Sequence, residues 1–328
     1  MKVNPKAFWM VMVVMAACQP VKEVKIGGSI ERLDPALDLI ISPGAQVEII
    51  AHGFDWSEGP VWVAAQKMLL FSDVPKNTIY KWTEEKGTEV YLTPSGYTGA
   101  LPRGGEPGSN GLLIDKNGTL ILSQHGDRRV ASMDAPLANP KPVFKTLADH
   151  YRGKRFDSPN DVTIDRKGNL YFTDPPYGLE NHEKDSTKDA PYQGVYMITP
   201  AGKVILLIDT LSAPNGIALS PDDHFLFIGN SDGNKARWYR YELGDTTIIS
   251  GRVFYDISSQ NGAPDGMKID KNGIVFGSGP GGILIFSPQG NLLGKIKLPQ
   301  PTANCAFSED EKTLYITSDS VVLRVKMR

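Results

Sequence analysis

Cysteine is nearly absent from this chain of 328 residues, with only Cys18 and Cys305. A disulfide framework is therefore excluded, and Cys305, in an apolar strand context, reads as a small buried hydrophobe. An excess of charge of one sign is also lacking. Lys and Arg number 35 against 37 Asp and Glu, a formal net charge of −2, and no basic run goes beyond Asp127-Arg128-Arg129. Nothing here gives nucleic acid an electrostatic footprint. No segment carries a helical apolar period of any length. The N-terminal apolar run, Phe8 to Met15, is too short to span a bilayer as a helix.

That run has another meaning. Lys2 and Lys6 precede it, and small residues and Cys18 follow, which is the order of a signal peptide. Met15-Ala16-Ala17-Cys18 resembles a bacterial lipobox, and Gln19 after the cysteine implies retention at the outer membrane. Residues 1–17 are thus expected to direct export to the periplasm, with Cys18 lipidated as the only membrane attachment. A plain secretory signal with an incidental cysteine is the alternative. Residues 18–45 are polar and aperiodic and read as a tether, which leaves 46–328 as one domain, a routine size for a closed all-β fold.

What the chain does contain is a phrase repeated six times. The copies are EGPVWVAAQKMLLFSD from Glu58, NGLLIDKNGTLILSQ from Asn110, NDVTIDRKGNLYFTD from Asn160, NGIALSPDDHFLFIGN from Asn215, DGMKIDKNGIVFGSG from Asp265 and NCAFSEDEKTLYITSD from Asn304. Their leading residues are spaced by 52, 50, 55, 50 and 39. Each copy alternates over a short strand, turns, and returns through β-forming residues. In the third copy, Asp165-Arg166-Lys167-Gly168 makes the turn, with Gly168 available for positive φ. Further strands follow each hairpin, such as TIYKWT from Thr78 and GVYMITP from Gly194. Four strands per unit and six units predict an all-β, six-bladed β-propeller. The last unit ends short with VVLRVKM from Val321, so AQVEIIA from Ala45 is expected to complete it and close the ring. Two long Gly/Pro-rich connections, 94–109 and 175–193, are where a substrate would be shaped.

The residue before each innermost strand of a propeller looks across the axis at its equivalents. Here these are Glu58, Asn110, Asn160, Asn215, Asp265 and Asn304, every one with a side-chain oxygen. Hard divalent cations take six to eight oxygens, so two carboxylates with neutral amides suit calcium, with magnesium or manganese behind it. Sulfur and imidazole are missing from the set, which weighs against zinc, though zinc stays among the cations considered. Against this stands a plainer reading, that Asn and Asp sit there to cap turns. Glu58 separates the two, since Glu has no turn preference.

Ser57-Glu58-Gly59-Pro60-Val61-Trp62, Ser158-Pro159-Asn160-Asp161, Pro214-Asn215-Gly216 and Pro264-Asp265-Gly266-Met267 resemble the motifs of the SMP-30/gluconolactonase/LRE-like family, from about Val47 to the C-terminus. The resemblance implies one catalytic divalent metal on the axis, usually calcium, with Glu58, Asn160, Asn215 and Asp265 as ligands and Asp265 doubling as acid/base. Ser158 stands where the vertebrate branch places a substrate-binding Arg. The loop ending in Glu106-Pro107-Gly108-Ser109-Asn110-Gly111 is more similar to the bacterial gluconolactonase branch.

The implied chemistry is opening of a sugar lactone by water. His125 is a second general-base or substrate-binding candidate, and Asn110, Asn304 and Arg103 are candidates for holding substrate. Arg128 is read as solvated, Trp56 and Trp62 as packing between blades, and Asp174 as a strand terminator. No Gly-x-Ser-x-Gly elbow appears, so an acyl-enzyme is unsupported. Two other readings stay open: the same metal site acting on a non-sugar lactone or organophosphate, and a binding propeller with a structural ion. The expected assembly is a monomer or weak dimer.

Overall fold

The structure, a computed structural model, describes Met1 and residues 25–328. The signal segment 1–17 and Cys18 otherwise lie outside these residues. Six antiparallel sheets stand in a ring, five of four strands and one of five, running outward from the axis. The innermost strands are Ser57–Val63, Ser109–Ile114, Val162–Ile164, Pro214–Leu219, Met267–Ile269 and Asn304–Phe307, which open blades one to six. Among the described residues the helical pieces are short 3-10 turns, Pro35–Leu39, Ala64–Gln66 and His182–Lys184.

The hairpins form for the reasons the sequence gives. Gly118, Gly168 and Gly273 adopt φ of 77°, 88° and 80° at the turn tips. At the start of the second turn, Asp115 Oδ1 accepts the amides of Asn117 and Thr119 at 2.9 and 2.8 Å, and Asp270 Oδ1 accepts those of Asn272 and Ile274 equally closely. Blades four and six close the same turn with Ser220 and Ser308, whose hydroxyls accept the amides of Phe225 and Thr313. The ring closes as expected. Val47–His52 pairs antiparallel with Val321–Lys326, and Arg324 Nε donates to Glu48 Oε2 at 2.5 Å across that seam.

The tether assigned to 18–45 is corrected from Ile26 onward. Ser29–Arg32 adds a fifth strand to blade five, in register with Gly294–Lys297, and the turn Pro35–Leu39 follows it. Leu37 and Ile41 are fully buried between blades five and six, against Phe276, Leu314 and Leu323. Ile30, Leu33, Leu37, Leu39, Ile40 and Ile41 stand among polar residues here, and their partners lie in blades distant in sequence, so the packing was not visible beforehand. Similar apolar clusters fill the gaps between the other blades, and Cys305, fully buried with its thiol pushed up to about 12 by burial, belongs to the one that holds Leu37.

Candidate active site

Three innermost strands carry a bulge directly after the leading residue. Glu58 faces Ser72 but Val61 faces Leu70; Ser109 faces Gln124 but Leu112 faces Leu122; Pro214 faces Asn230 but Ile217 faces Ile228. A one-residue slip of this kind bends the strand and re-aims the side chain beside it, here toward the axis. The glycine after the leading residue has its own cause. A Cβ on Gly59 would lie 1.9 Å from the carbonyl oxygen of Asn110, and one on Gly216 would lie 2.1 Å from that of Asp265. At these two starts the strand is wedged against its neighbour's backbone, so no side chain fits. These positions are therefore strand starts packed around an axis, and the turn-capping reading does not describe them.

Glu58, Asn110, Asn160, Asn215 and Asp265 line one cavity of about 520 Å³ at the mouth of the axis. Glu106 and Tyr177, from the two long connections, and Trp56 and Ser231 complete its working wall. Prolines 264, 280, 299 and 301 also line it, Pro264 accepting from the Ser231 hydroxyl. No lysine or arginine lines it. Among the described residues no three His, Cys, Asp or Glu side chains gather as a metal cluster, so any cation here depends on amide oxygens. The amides fit that role: Oδ1 of Asn110 and Oδ1 of Asn215 are buried with no hydrogen-bond partner. Unpartnered buried carbonyl oxygens are costly, and a hard cation would satisfy them.

The carboxylates tell the same story. Glu58 is sealed from solvent, and burial pushes it up to about 8, with the charge of Asp161 adding to the rise and the Gly59 amide, at 2.6 Å, opposing it. Burial and the charges of Glu58 and Asp161 also push Asp265 well above the usual carboxylate range. Asp265 keeps part of its surface open to the cavity. A bound cation would hold both carboxyls in their charged form, beyond the partial offset from Lys268, whose Nζ lies 3.9 Å from Asp161 Oδ2.

The other residues marked in the sequence divide. Asn304 does not line the cavity; it sits beneath it, with Nδ2 at 3.4 Å from both Glu58 Oε2 and Asp161 Oδ2 and Oδ1 at 3.3 Å from Lys268 Nζ. His125 is fully buried behind the wall, its Nε2 3.4 Å from Asn160 Nδ2 and its Nδ1 3.1 Å from Glu106 Oε2. Arg103 is drawn away from the cavity, donating to the Gly178 carbonyl at 2.5 Å. Arg128 is buried rather than solvated, donating to Phe156 O at 2.6 Å and Thr187 O at 3.0 Å, and so ties the 175–193 connection down. Trp62 stacks on Tyr315 at 5.2 Å between blades, as expected, whereas Trp56 faces the cavity. Asp174 terminates its strand by accepting the amides of Asp157 and Ser158 at 2.9 and 2.8 Å.

Sequence reasoning missed Asp161, Glu106 and Tyr177. Asp161 had a signal, since it stands where four of the other five copies have glycine. Glu106 and Tyr177 sit in connections outside the repeat, where no register marks them.

A sequence model described as the SMP-30/gluconolactonase/LRE-like region matches residues 56–320. A gluconolactonase of Zymomonas mobilis is 40% identical over 312 residues, covering 92% of this chain and 86% of its own length. The lactonase drp35 of Staphylococcus aureus is 31% identical over 57% of this chain and 56% of itself. Among solved structures, a gluconolactonase of Xanthomonas campestris superimposes with a TM-score of 0.82 at 26% identity, covering 95% of this chain and 99% of its own. With its six blades, its axial oxygen ring and these likenesses, the chain belongs to the SMP-30/gluconolactonase/LRE-like family.

Proposed function

We propose that this protein hydrolyses neutral sugar lactones, with a divalent cation, calcium foremost, held by Glu58, Asn160, Asn215 and Asp265. One observation carries the reading: oxygen-bearing side chains from separate blades meet in a single cavity, two of the amide oxygens there being buried and unpartnered. Relatives bearing the names gluconolactonase and lactonase support the reaction class. When bound, such a cation polarises a lactone carbonyl and stabilises the negative charge that develops on its oxygen.

The chain's own groups supply the rest. Glu58 is sealed and serves to fix charge, whereas Asp265 is open to the cavity and can meet water. As water oxygen bonds to the carbonyl carbon, Asp265 accepts the water proton; the ring C–O bond then breaks and the leaving oxygen takes that proton back from Asp265 to become a hydroxyl. Tyr177 and Ser231 offer hydroxyls on the same wall for orienting the sugar. The prolines and Trp56 pack its apolar ring face. A lining with Glu58, Glu106 and Asp265 and no cationic side chain suits an uncharged substrate.

Gluconolactone turnover by the purified protein, followed with a pH indicator, tests this. Chelation should reduce kcat by about 100-fold or more, with recovery on adding calcium, and Glu58→Gln or Asp265→Asn should lose as much while keeping the native circular dichroism spectrum. Full turnover by either variant, or by metal-free protein, would sink the proposal.

A further inference from the structure

We infer that His125 is a positioning residue that fixes the amide of Asn160, through a chain Glu106–His125–Asn160, so that Asn160 turns its oxygen rather than its nitrogen to the axis. The inference rests on the cation reading above. An amide can present either end by rotating half a turn, and only the oxygen end serves a cation. Asn110 and Asn215 have no partner on their oxygens. The Asn215 amide hydrogen-bonds the Asp265 carboxylate, whereas the Asn160 nitrogen meets an imidazole nitrogen, His125 Nε2 at 3.4 Å.

The chemistry of that contact runs in one direction. The amide nitrogen only donates, so Nε2 must be the accepting nitrogen, and the ring proton sits on Nδ1. Nδ1 faces an acceptor-only group, Glu106 Oε2 at 3.1 Å, close enough to hold the proton though off the ideal hydrogen-bond line. The opposite tautomer would point N–H at N–H on one side and a lone pair at a carboxylate on the other. Ligand orientation by a partner one step removed is a common device of metal sites.

The ring cannot turn to escape. His125 is fully buried at the end of the strand Leu120–Gln124, with its amide on Gly108 O at 3.1 Å. A Cβ on Gly178 would come within 2.6 Å of His125 Cβ, and Arg103 holds the Gly178 carbonyl in place. Arg103, expected to bind substrate, thus serves the roof over the imidazole. Ser158 Oγ accepts the Gly178 amide at 2.8 Å from the other side. Both long connections, one through Glu106 and the other through Gly178, therefore converge on this ring.

The test begins on metal-free protein, with nitrogen-15 NMR of the imidazole. The expected result is the Nδ1–H tautomer, and an Nε2–H tautomer would overturn the inference. Glu106→Ala, a change at a partly exposed side chain, should shift the ring to a tautomer mixture; an unchanged tautomer would also overturn it. Calcium titration calorimetry supplies the second readout. His125→Phe keeps the ring shape without an acceptor and should weaken calcium binding by about 10- to 100-fold. His125→Gln, whose carbonyl can accept from Asn160, should recover most of that. His125→Phe binding calcium within about twofold of the parent would refute the inference, as would a glutamine that recovers nothing. Should His125→Phe fail to fold, the tautomer measurements still decide. A parent that binds no divalent cation removes the functional reading instead, and leaves the tautomer result to judge the chain Glu106–His125–Asn160 by itself.

Discussion

The glycine that follows four of the six leading residues shows how much a single position can hold. In sequence, Asn-Gly and Asp-Gly pairs look like turns, because turns are where such pairs occur most. In the molecule they are contact points between blades. Gly216 does not adopt positive φ, so backbone freedom is not its purpose; the 2.1 Å approach of a would-be Cβ to the Asp265 carbonyl is. Gly216→Ala should therefore push the Asp265 backbone outward. Overpacking of this type costs about 1–3 kcal/mol, and a displacement of about 1 Å at a reacting group lowers turnover about 100-fold. Urea unfolding together with lactone kinetics would check both; a variant with parental stability and parental kcat would show that the neighbouring carbonyl yields freely. The leading oxygens were legible because they share a repeat register. Glu106 and Tyr177 were not, because a loop residue's reach depends on folding that no period records. Asp161 falls between: the register exposes it only once glycine is known to be the rule there.

At the scale of elements, the hairpins were readable because strand alternation and turn chemistry are local. Each copy contains its own two strands and its own left-handed residue, and all but the first, which turns through Ala64–Gln66, have an Asp or Ser to close the turn. The N-terminal strand and turn were not readable, since the strand's partners lie 262 to 268 residues away in sequence, Ser29 on Lys297 being the first pair. Nothing in a short polar stretch announces that an edge strand elsewhere needs covering. Leu37 gives the test. A tether residue could be truncated without effect, whereas Leu37 has no exposed surface and packs among Ile285, Ile296 and Leu293. Leu37→Ala should lower unfolding stability by about 2–5 kcal/mol, the usual cost of emptying a closed site. A change under about 0.5 kcal/mol in denaturant titration would return the segment to the role of tether.

For the molecule as a whole, closing the ring and building the site are the same act. The seam lies between Val47–His52 and Val321–Lys326, and the chain leaves it toward blade one through Gly53, whose amide donates to Ser320 O at 2.9 Å. Ser57 then binds the other side of the seam twice, its amide on Asp319 O at 2.8 Å and its hydroxyl on Val321 O at 3.1 Å. The next residue is Glu58. The strand that seals blade six therefore also sets the backbone that aims a carboxylate at the axis. A chain ended at Ser320 would leave Thr313–Ser318 and Val47–His52 as unpaired edges, and Ser57 would keep Asp319 O but lose Val321 O as an acceptor. Such a protein should lose its single cooperative thermal transition and its lactone turnover together, and a synthetic peptide covering 321–328, added during refolding, should restore part of both. If the shortened chain instead melts cooperatively and keeps parental turnover, the seam is only a clasp, and the position of Glu58 is set within blade one alone.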